Sequence, residues 1–260
     1  MSPLFKWLAT VGVACGIVIA GAYLARADGW PITIMNKQID QTNFLLNTNC
    51  SATLIDKNKG ILLTANHCIS EQFDIVEKQT IDPKSGKVTT EKVRIAKPGT
   101  VSQINFKGPN EVERSVYVFK IKANDVDVDL AIVQVQTKLS NTMDAKLACA
   151  DPRRGEPDFA VGNTLGKLYS TISNGIVSSI NRNYAMIGDD TMKGGLIQTT
   201  SAIAGGNSGG SLYNANGEII GVIVRGFQTP SPIGLAVPLS VIKEFLTANK
   251  MDYLWERCGK

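Results

Sequence analysis

The chain has a single histidine, His67, among 260 residues. That scarcity excludes every metal site built on two or more histidines, including the usual catalytic zinc arrangements. It also leaves His67 as the only ordinary candidate for a general base that changes charge near neutrality. A surplus of either charge is missing as well. With Lys6 and Arg26 set aside in the N-terminal segment, residues 28–260 carry 25 basic against 23 acidic side chains. That balance argues against nucleic acid or an anionic membrane surface as the partner. There is no internal repeat and no low-complexity tract. A phosphate loop is absent too: "GNTLGKL", residues 162–168, is one residue short between its glycines and lacks Ser or Thr after Lys167, so backbone cradle and magnesium ligand are both missing.

What is present is an ordinary globular composition, 43% hydrophobic with 24 glycines, enough to bury a core in one large domain or two small ones. After Pro31 short apolar or β-branched runs alternate with Gly, Pro, Asn and Asp. Examples are "SATLID", "ILLTA", "KVRIA", "RSVYVFKI", "LAIVQVQ", "GIVSSI", "GLIQTT" and "EIIGVIV". None of the central segments holds a long 3.6-residue apolar period, so the rhythm predicts an all-β sandwich or barrel. "ADPRRGEPDFA", residues 150–160, concentrates Pro, Gly and charge and is the best candidate for a linker between two β subdomains. Toward the C-terminus Leu239, Ile242, Phe245 and Leu246 fall at helical spacing, which predicts an amphipathic helix over 239–256.

Residues 8–25 contain no charge, follow Lys6 and precede the A-x-A pattern of Ala25, Arg26 and Ala27. Cleavage after Ala27 makes this a signal peptide; retention makes it an anchor, since eighteen apolar residues are near the minimum that spans a bilayer. Either fate exports residues 28–260, because Lys6 keeps the N-terminal flank in the cytoplasm. Cys15 sits in the apolar segment. Cys50, Cys68, Cys149 and Cys258 lie in the exported body, an even number that suggests two disulfides with three possible pairings.

His67 stands in "LLTANHCIS". Downstream, "DVDVDLAIVQV" places Asp129 directly before a β-branched run, where a carboxylate can accept an imidazole Nδ1 proton, fix the tautomer and stabilise the imidazolium. Ser208 follows in "GGNSGG", and the Asn216-Gly217 pair in "YNANGEIIGV" predicts a hairpin turn. The order histidine, aspartate, serine is that of the chymotrypsin triad.

Here the chain resembles a known family. "TANHC", "DVDLAIV" and "GGNSGGSL" look like the three catalytic segments of trypsin-like serine proteases. "VGNTLG", "SNGIVSSINR", "IQTTSAIAGGNSGGSLYNANGEIIGV" and "GLAVPLSVIKEF" resemble the protease domain of the HtrA (DegP-like) group, over roughly residues 49–245. The resemblance implies two six-stranded antiparallel β-barrels, the first over about 40–148, a linker at 149–158, the second over about 159–238 and then the helix. It is weakest between 70 and 125, where the sixty-two residues from His67 to Asp129 exceed the family's usual spacing and call for extra or lengthened hairpins. HtrA proteins carry PDZ domains after the protease; this sequence stops after its final helix, so PDZ-linked peptide sensing is not expected.

The same resemblance implies an exported serine endopeptidase acting on proteins or peptides, with no cofactor. In it Ser208 is the nucleophile, His67 the base, Asp129 the orienting carboxylate, and the backbone N–H groups of Gly206 and Ser208 the oxyanion donors. It further implies a disulfide between Cys50 and Cys68, which leaves Cys149 and Cys258 as the second pair. Ala202, six residues before the nucleophile, takes the pocket-base position and carries no charge to attract Lys or Arg. With Ile223, Val224 and Arg225 near the wall, small or medium apolar P1 residues are expected, Arg225 being able to recruit acid. Asn207 stands where zymogens of the pancreatic type have an aspartate that pairs with a new N-terminal amine, so no activating cut is expected. The competing expectation is a protease-like binding or scaffold protein without turnover, whose relatives generally lose a triad residue or the turn glycines.

Overall fold

"SATLID" and "ILLTA", parted by residues 57–60, form the antiparallel strands β2 (Ser51–Asp56) and β3 (Ile61–Ala65), buried at every position. Strands with apolar side chains on both faces must be covered on both, and here closure does so. β1 (Asn43–Leu46), β6 (Gln103–Lys107), β7 (Arg114–Asp125) and β8 (Leu130–Val135) complete a barrel in the order β1-β2-β3-β8-β7-β6. Closing the ring leaves no open edge. Its core holds Phe44, Leu54, Leu62, Ile104 and Ile132, each with no exposed surface. The computed structural model describes residues 41–258 apart from 71–72, 84, 97–102, 108–113, 140–141, 184–193, 228–229 and 231. The apolar segment at residues 1–27, and with it the expected signal or anchor helix, lies outside the described residues.

Between β3 and β6 come the four-residue helix α1 (His67–Ser70), then β4 (Phe73–Ile81) and β5 (Val88–Ala96). These two strands pair along nine positions with each other in a separate two-stranded sheet. They are the lengthened hairpin that the long histidine-to-aspartate spacing calls for.

The second sheet contains β9 (Lys146–Leu147), β10 (Pro157–Thr164), β11 (Leu168–Asn183), β12 (Gly195–Thr199), β13 (Ser211–Asn214), β14 (Glu218–Phe227) and β15 (Ile233–Pro238). Its order is β13-β10-β11-β12-β15-β14-β9, and β13 also pairs with β14, so six of the strands curl back on themselves. The seventh departs from the expected six-stranded antiparallel ring, because β9 runs parallel to β14. Leu147 is 1% exposed where the chain leaves the first barrel, and pairing beside Ile219 gives the backbone of this buried residue partners. Pro157 and Asp158, at the end of the expected linker, already belong to β10.

Helix α2 (Leu239–Ala248) buries Leu239, Ile242, Phe245 and Leu246, the four positions that the spacing selects. It ends well before residue 256. Lys250 takes a left-handed φ of 60°, and the N–H groups of Lys250 and Met251 donate to Thr247 O and Leu246 O at 2.9 and 2.8 Å. That Schellman turn caps the helix, with Met251 4% exposed against it. Two 3-10 turns follow, Asp252–Leu254 and Glu256–Cys258.

This tail returns to the first barrel. Tyr253 Oη donates to Asp56 Oδ2 at 2.8 Å, and the Lys59 ammonium lies 3.6 Å from the Tyr253 ring centre. Cys258 is joined to Cys149, Lys243 Nζ donates to Cys149 O at 2.8 Å, and Arg257 bonds Leu147 O and Glu218.

Candidate active site

His67 opens α1 where β3 runs out. Asn66 accepts from the Ile69 N–H through its carbonyl and donates its own N–H to Asp129 O at 3.1 Å, which ties this corner to the start of β8. Cys68 is joined to Cys50 with Cα atoms 5.7 Å apart, and both are buried. Its carbonyl accepts from Thr48 Oγ1 at 2.8 Å. Asp129 ends the turn at 126–129 with φ 55°, a left-handed conformation that aspartate tolerates better than most residues.

Asp129 is 6% exposed, and both of its carboxylate oxygens face His67. Oδ1 accepts the backbone N–H of His67 at 2.8 Å; Oδ2 lies 2.7 Å from the ring Nδ1. A carboxylate has no proton to give, so Nδ1 carries the hydrogen and Nε2 is left as the acceptor. One side chain thereby fixes the backbone, ring orientation and tautomer of His67.

Ser208 sits in the turn between β12 and β13. That turn is held from inside by Asn207 N–H to Ala204 O at 3.2 Å and Gly210 N–H to Asn207 O at 3.0 Å, and from β14 by Gly209 N–H to Ile223 O at 2.8 Å. Two glycines are required. Gly206 has φ 94° and a Cβ there would lie 2.2 Å from Asn163 O, while a Cβ on Gly209, at φ 79°, would lie 2.2 Å from Ser51 O. Three carbonyls of the turn are tied to its surroundings: Gly205 O by Leu165 N–H at 2.6 Å, Gly206 O by Ser51 Oγ at 2.8 Å, Ser208 O by Ser51 N–H at 2.7 Å. Among the described residues neither the Gly206 nor the Ser208 N–H has an acceptor. Two unmatched backbone donors two residues apart on one turn are groups of the kind that can receive a negative oxygen. Ser208 Oγ donates to Val224 O at 3.5 Å, and among the described residues it makes no bond to His67.

Asn207 is 4% exposed and accepts from Thr164 Oγ1 at 2.9 Å. The neighbouring β10 approaches so closely that a Cβ on Gly162 would lie 2.7 Å from Asn207 Cα. Among the described residues the one cluster with metal-ligand spacing is Cys50, His67 and Cys68, and its sulfurs are spent in a disulfide.

Of the expected pocket residues, Ala202 is exposed, Ile223 and Val224 are buried in β14, and Arg225 is exposed on the same strand. Ile223 meets the nucleophile turn through its backbone. Sequence reasoning missed Ile203, 9% exposed. A Cβ on Gly226 would lie 2.8 Å from Ile203 Cβ and Cγ2, and one on Gly234 only 2.4 Å from its Cγ1. Ile203 therefore fills the space that two glycines open, and Gly226 and Gly234 were the available signal. Ser51 and Asn163 were missed too. Asn163 N–H donates to Ser51 Oγ at 2.7 Å and Asn163 Nδ2 to Phe44 O at 2.8 Å, contacts made at long sequence separation that no local pattern marks.

The profile of the trypsin-like peptidase domain matches residues 50–222. A probable periplasmic serine endoprotease, DegP-like, of Rickettsia conorii is 33% identical over 155 residues, covering 58% of this chain and 30% of the relative. The periplasmic serine endoprotease DegP of Salmonella typhimurium is 29% identical over 207 residues, 78% and 36% of the two chains. This chain thus spans about a third of the length of the curated relatives it matches. Among solved structures, an HtrA-type protease, AlgW with a decapeptide, superposes with TM-score 0.54 at 25% identity, covering 77% of this chain and 51% of that one. Deg5 superposes with TM-score 0.61 over 87% and 97%, a likeness of fold at 20% identity.

Proposed function

The chain belongs to the trypsin-like peptidase domain family, and from that premise we propose that it is an exported serine endopeptidase acting through Ser208, His67 and Asp129. The observation that carries this reading is the pair of bonds that His67 donates to Asp129, which leaves Nε2 as the acceptor and so the base. In the reaction Ser208 Oγ leaves Val224 O, gives its proton to His67 and attacks the scissile carbonyl; His67 returns the proton to the leaving amine. The unmatched N–H groups of Gly206 and Ser208 receive the oxyanion, each worth about 3 kcal/mol in the transition state.

Small or medium apolar P1 residues fit best. Ala202 offers no charge at the pocket base, and Ile203 occupies the space that Gly226 and Gly234 leave open. Residues 1–27 serve as the export segment of a domain covering 28–260, divided into barrels at about 40–148 and 159–238; the periplasmic location in the names of its relatives supports export. Substrates are proteins or peptides, the class represented by the decapeptide held in the AlgW structure.

Labelling with a fluorophosphonate probe tests this directly. Wild-type protein is labelled under oxidising conditions and Ser208→Ala is not; a folded wild type that resists the probe defeats the reading.

A further inference from the structure

Asp158 is a buried carboxyl that the peptidase chemistry does not use. It lies on β10 opposite Gly175 of β11 and Asn214 of β13, with no exposed surface. Its Oδ1 accepts from Ser201 Oγ at 2.6 Å and from Thr199 Oγ1 at 2.8 Å, while Oδ2 is buried and has no partner among the described residues. A carboxyl taken out of water with one oxygen unmatched is costly, and an apolar side chain would fill a barrel strand without that cost. The position is explained by what the carboxyl holds.

Both hydroxyls belong to residues 199–202, the stretch that leads from β12 into the candidate pocket base. Thr199 Oγ1 also accepts the Ser201 N–H at 2.8 Å, so Asp158, Thr199 and Ser201 close a small ring of hydrogen bonds. The stretch is pressed flat onto β11: a Cβ on Gly175 would lie 2.3 Å from Ser201 N. Thr200 N–H donates to Ile176 O at 3.1 Å, and Ser173 Oγ donates to Ala202 O at 2.7 Å. Those last bonds fix the backbone against β11. Beneath Ser201 the short bond to Asp158 at 2.6 Å is the strongest hold on its hydroxyl, with Ser173 O at a longer 3.4 Å, and two residues further on Ile203 enters the space beside Gly226 and Gly234.

We propose that Asp158 is a positioning residue for P1 selection: by anchoring Thr199 and Ser201 it sets how far Ile203 projects into the primary pocket. Its action is indirect, through Ser201 and Ile203, and it rests on the serine peptidase reading above. Without the anchor the 199–203 stretch relaxes, Ile203 withdraws, and larger P1 side chains gain access while the Ser208 turn, held separately by Ser51 and Ile223, keeps its form.

The test compares peptides with valine or phenylalanine at P1, each rate divided by the fluorophosphonate-titrated active-site concentration. In Asp158→Ala and in Ser201→Ala the valine-to-phenylalanine ratio of kcat/KM falls by about tenfold or more, mainly through KM, at unchanged probe reactivity. Asp158→Asn, whose carboxamide oxygen can accept both hydroxyls, stays near the wild-type ratio. If Asp158→Ala does not fold, Ser201→Ala and Asp158→Asn still decide. An unchanged ratio in fully titrated Ser201→Ala overturns the inference, as does uniform loss of both substrates, the mark of a merely structural role. A wild type that fails to label removes the peptidase reading itself, a different outcome.

Discussion

The backbone N–H of Ser51 donates to the carbonyl oxygen of Ser208 at 2.7 Å. Ser51 begins β2 of the first barrel and Ser208 stands in the second, so the barrel that carries His67 and Asp129 also grips the turn that carries the nucleophile. The same residue's hydroxyl reaches Gly206 O and Asn163 N–H, which makes Ser51 the knot of the seam.

Ser51→Ala keeps the backbone bond but deletes that hydroxyl, leaving Gly206 O and the buried Asn163 N–H unmatched. Stability falls by about 1–3 kcal/mol in urea unfolding. Because Gly206 loses a contact that aims its N–H, kcat drops more than KM rises.

Asp129→Asn presents an amide N–H to His67 Nδ1 in place of an acceptor and favours the wrong tautomer. Steady-state assays should show kcat reduced by about four orders of magnitude, the loss seen when the orienting carboxylate of such a triad becomes an amide. The fold persists, since the other oxygen still accepts the His67 backbone N–H.

Asn207 finds its partner in Thr164, within the same barrel, and asks nothing of an N-terminal amine. Protein beginning at Asp28 and protein bearing extra residues before it have equal kcat/KM. A marked rise on trimming to one defined N-terminus would restore a zymogen mechanism.

Burial holds the Asp158 carboxyl above the usual aspartate range, against the opposing pull of Ser201 and Thr199. The folded state then binds this proton more tightly than the unfolded chain does. Its contribution to stability is fully present below the ordinary aspartate value, and is lost as pH rises from there through the raised one. Asp158→Asn removes this slope, which urea midpoints measured across the acid range will show.

Cys50 and Cys68 are 8% and 1% exposed, whereas Cys149 is open to solvent and Cys258 partly so. Mild thiol therefore cuts the 149–258 link first, as mass mapping of alkylated cysteines would record. In the chain-entropy view a link spanning 109 residues restrains the unfolded chain by about 5 kcal/mol, against about 3 for one spanning 18.

The sequence made eight strands legible because each is a β-branched or apolar run with turn residues beside it. β1, β6 and β9 are among those that escaped, being two to five residues long and defined by their partners rather than by their own pattern. The three candidate catalytic residues stood out because their neighbours are short, dense motifs. Ile203 and Ser51 did not, since what gives them meaning is two distant glycines in one case and a turn 155 residues away in the other. The helix end misled for a simpler reason: Lys250 adopts a left-handed turn usually signalled by glycine, and nothing in "TANKMDY" announces it.

The return of Tyr253 to Asp56 has a consequence in time. Asp56 lies in the first barrel and Tyr253 follows the second in sequence, so the bond between them can form only after the whole of both barrels has been delivered. Until residues 249–258 dock, the two halves of the molecule lack that tether and the 149–258 link. A chain interrupted before them would leave His67 and Ser208 in barrels joined by the connecting chain and the seam, without the Tyr253 bond or the 149–258 link.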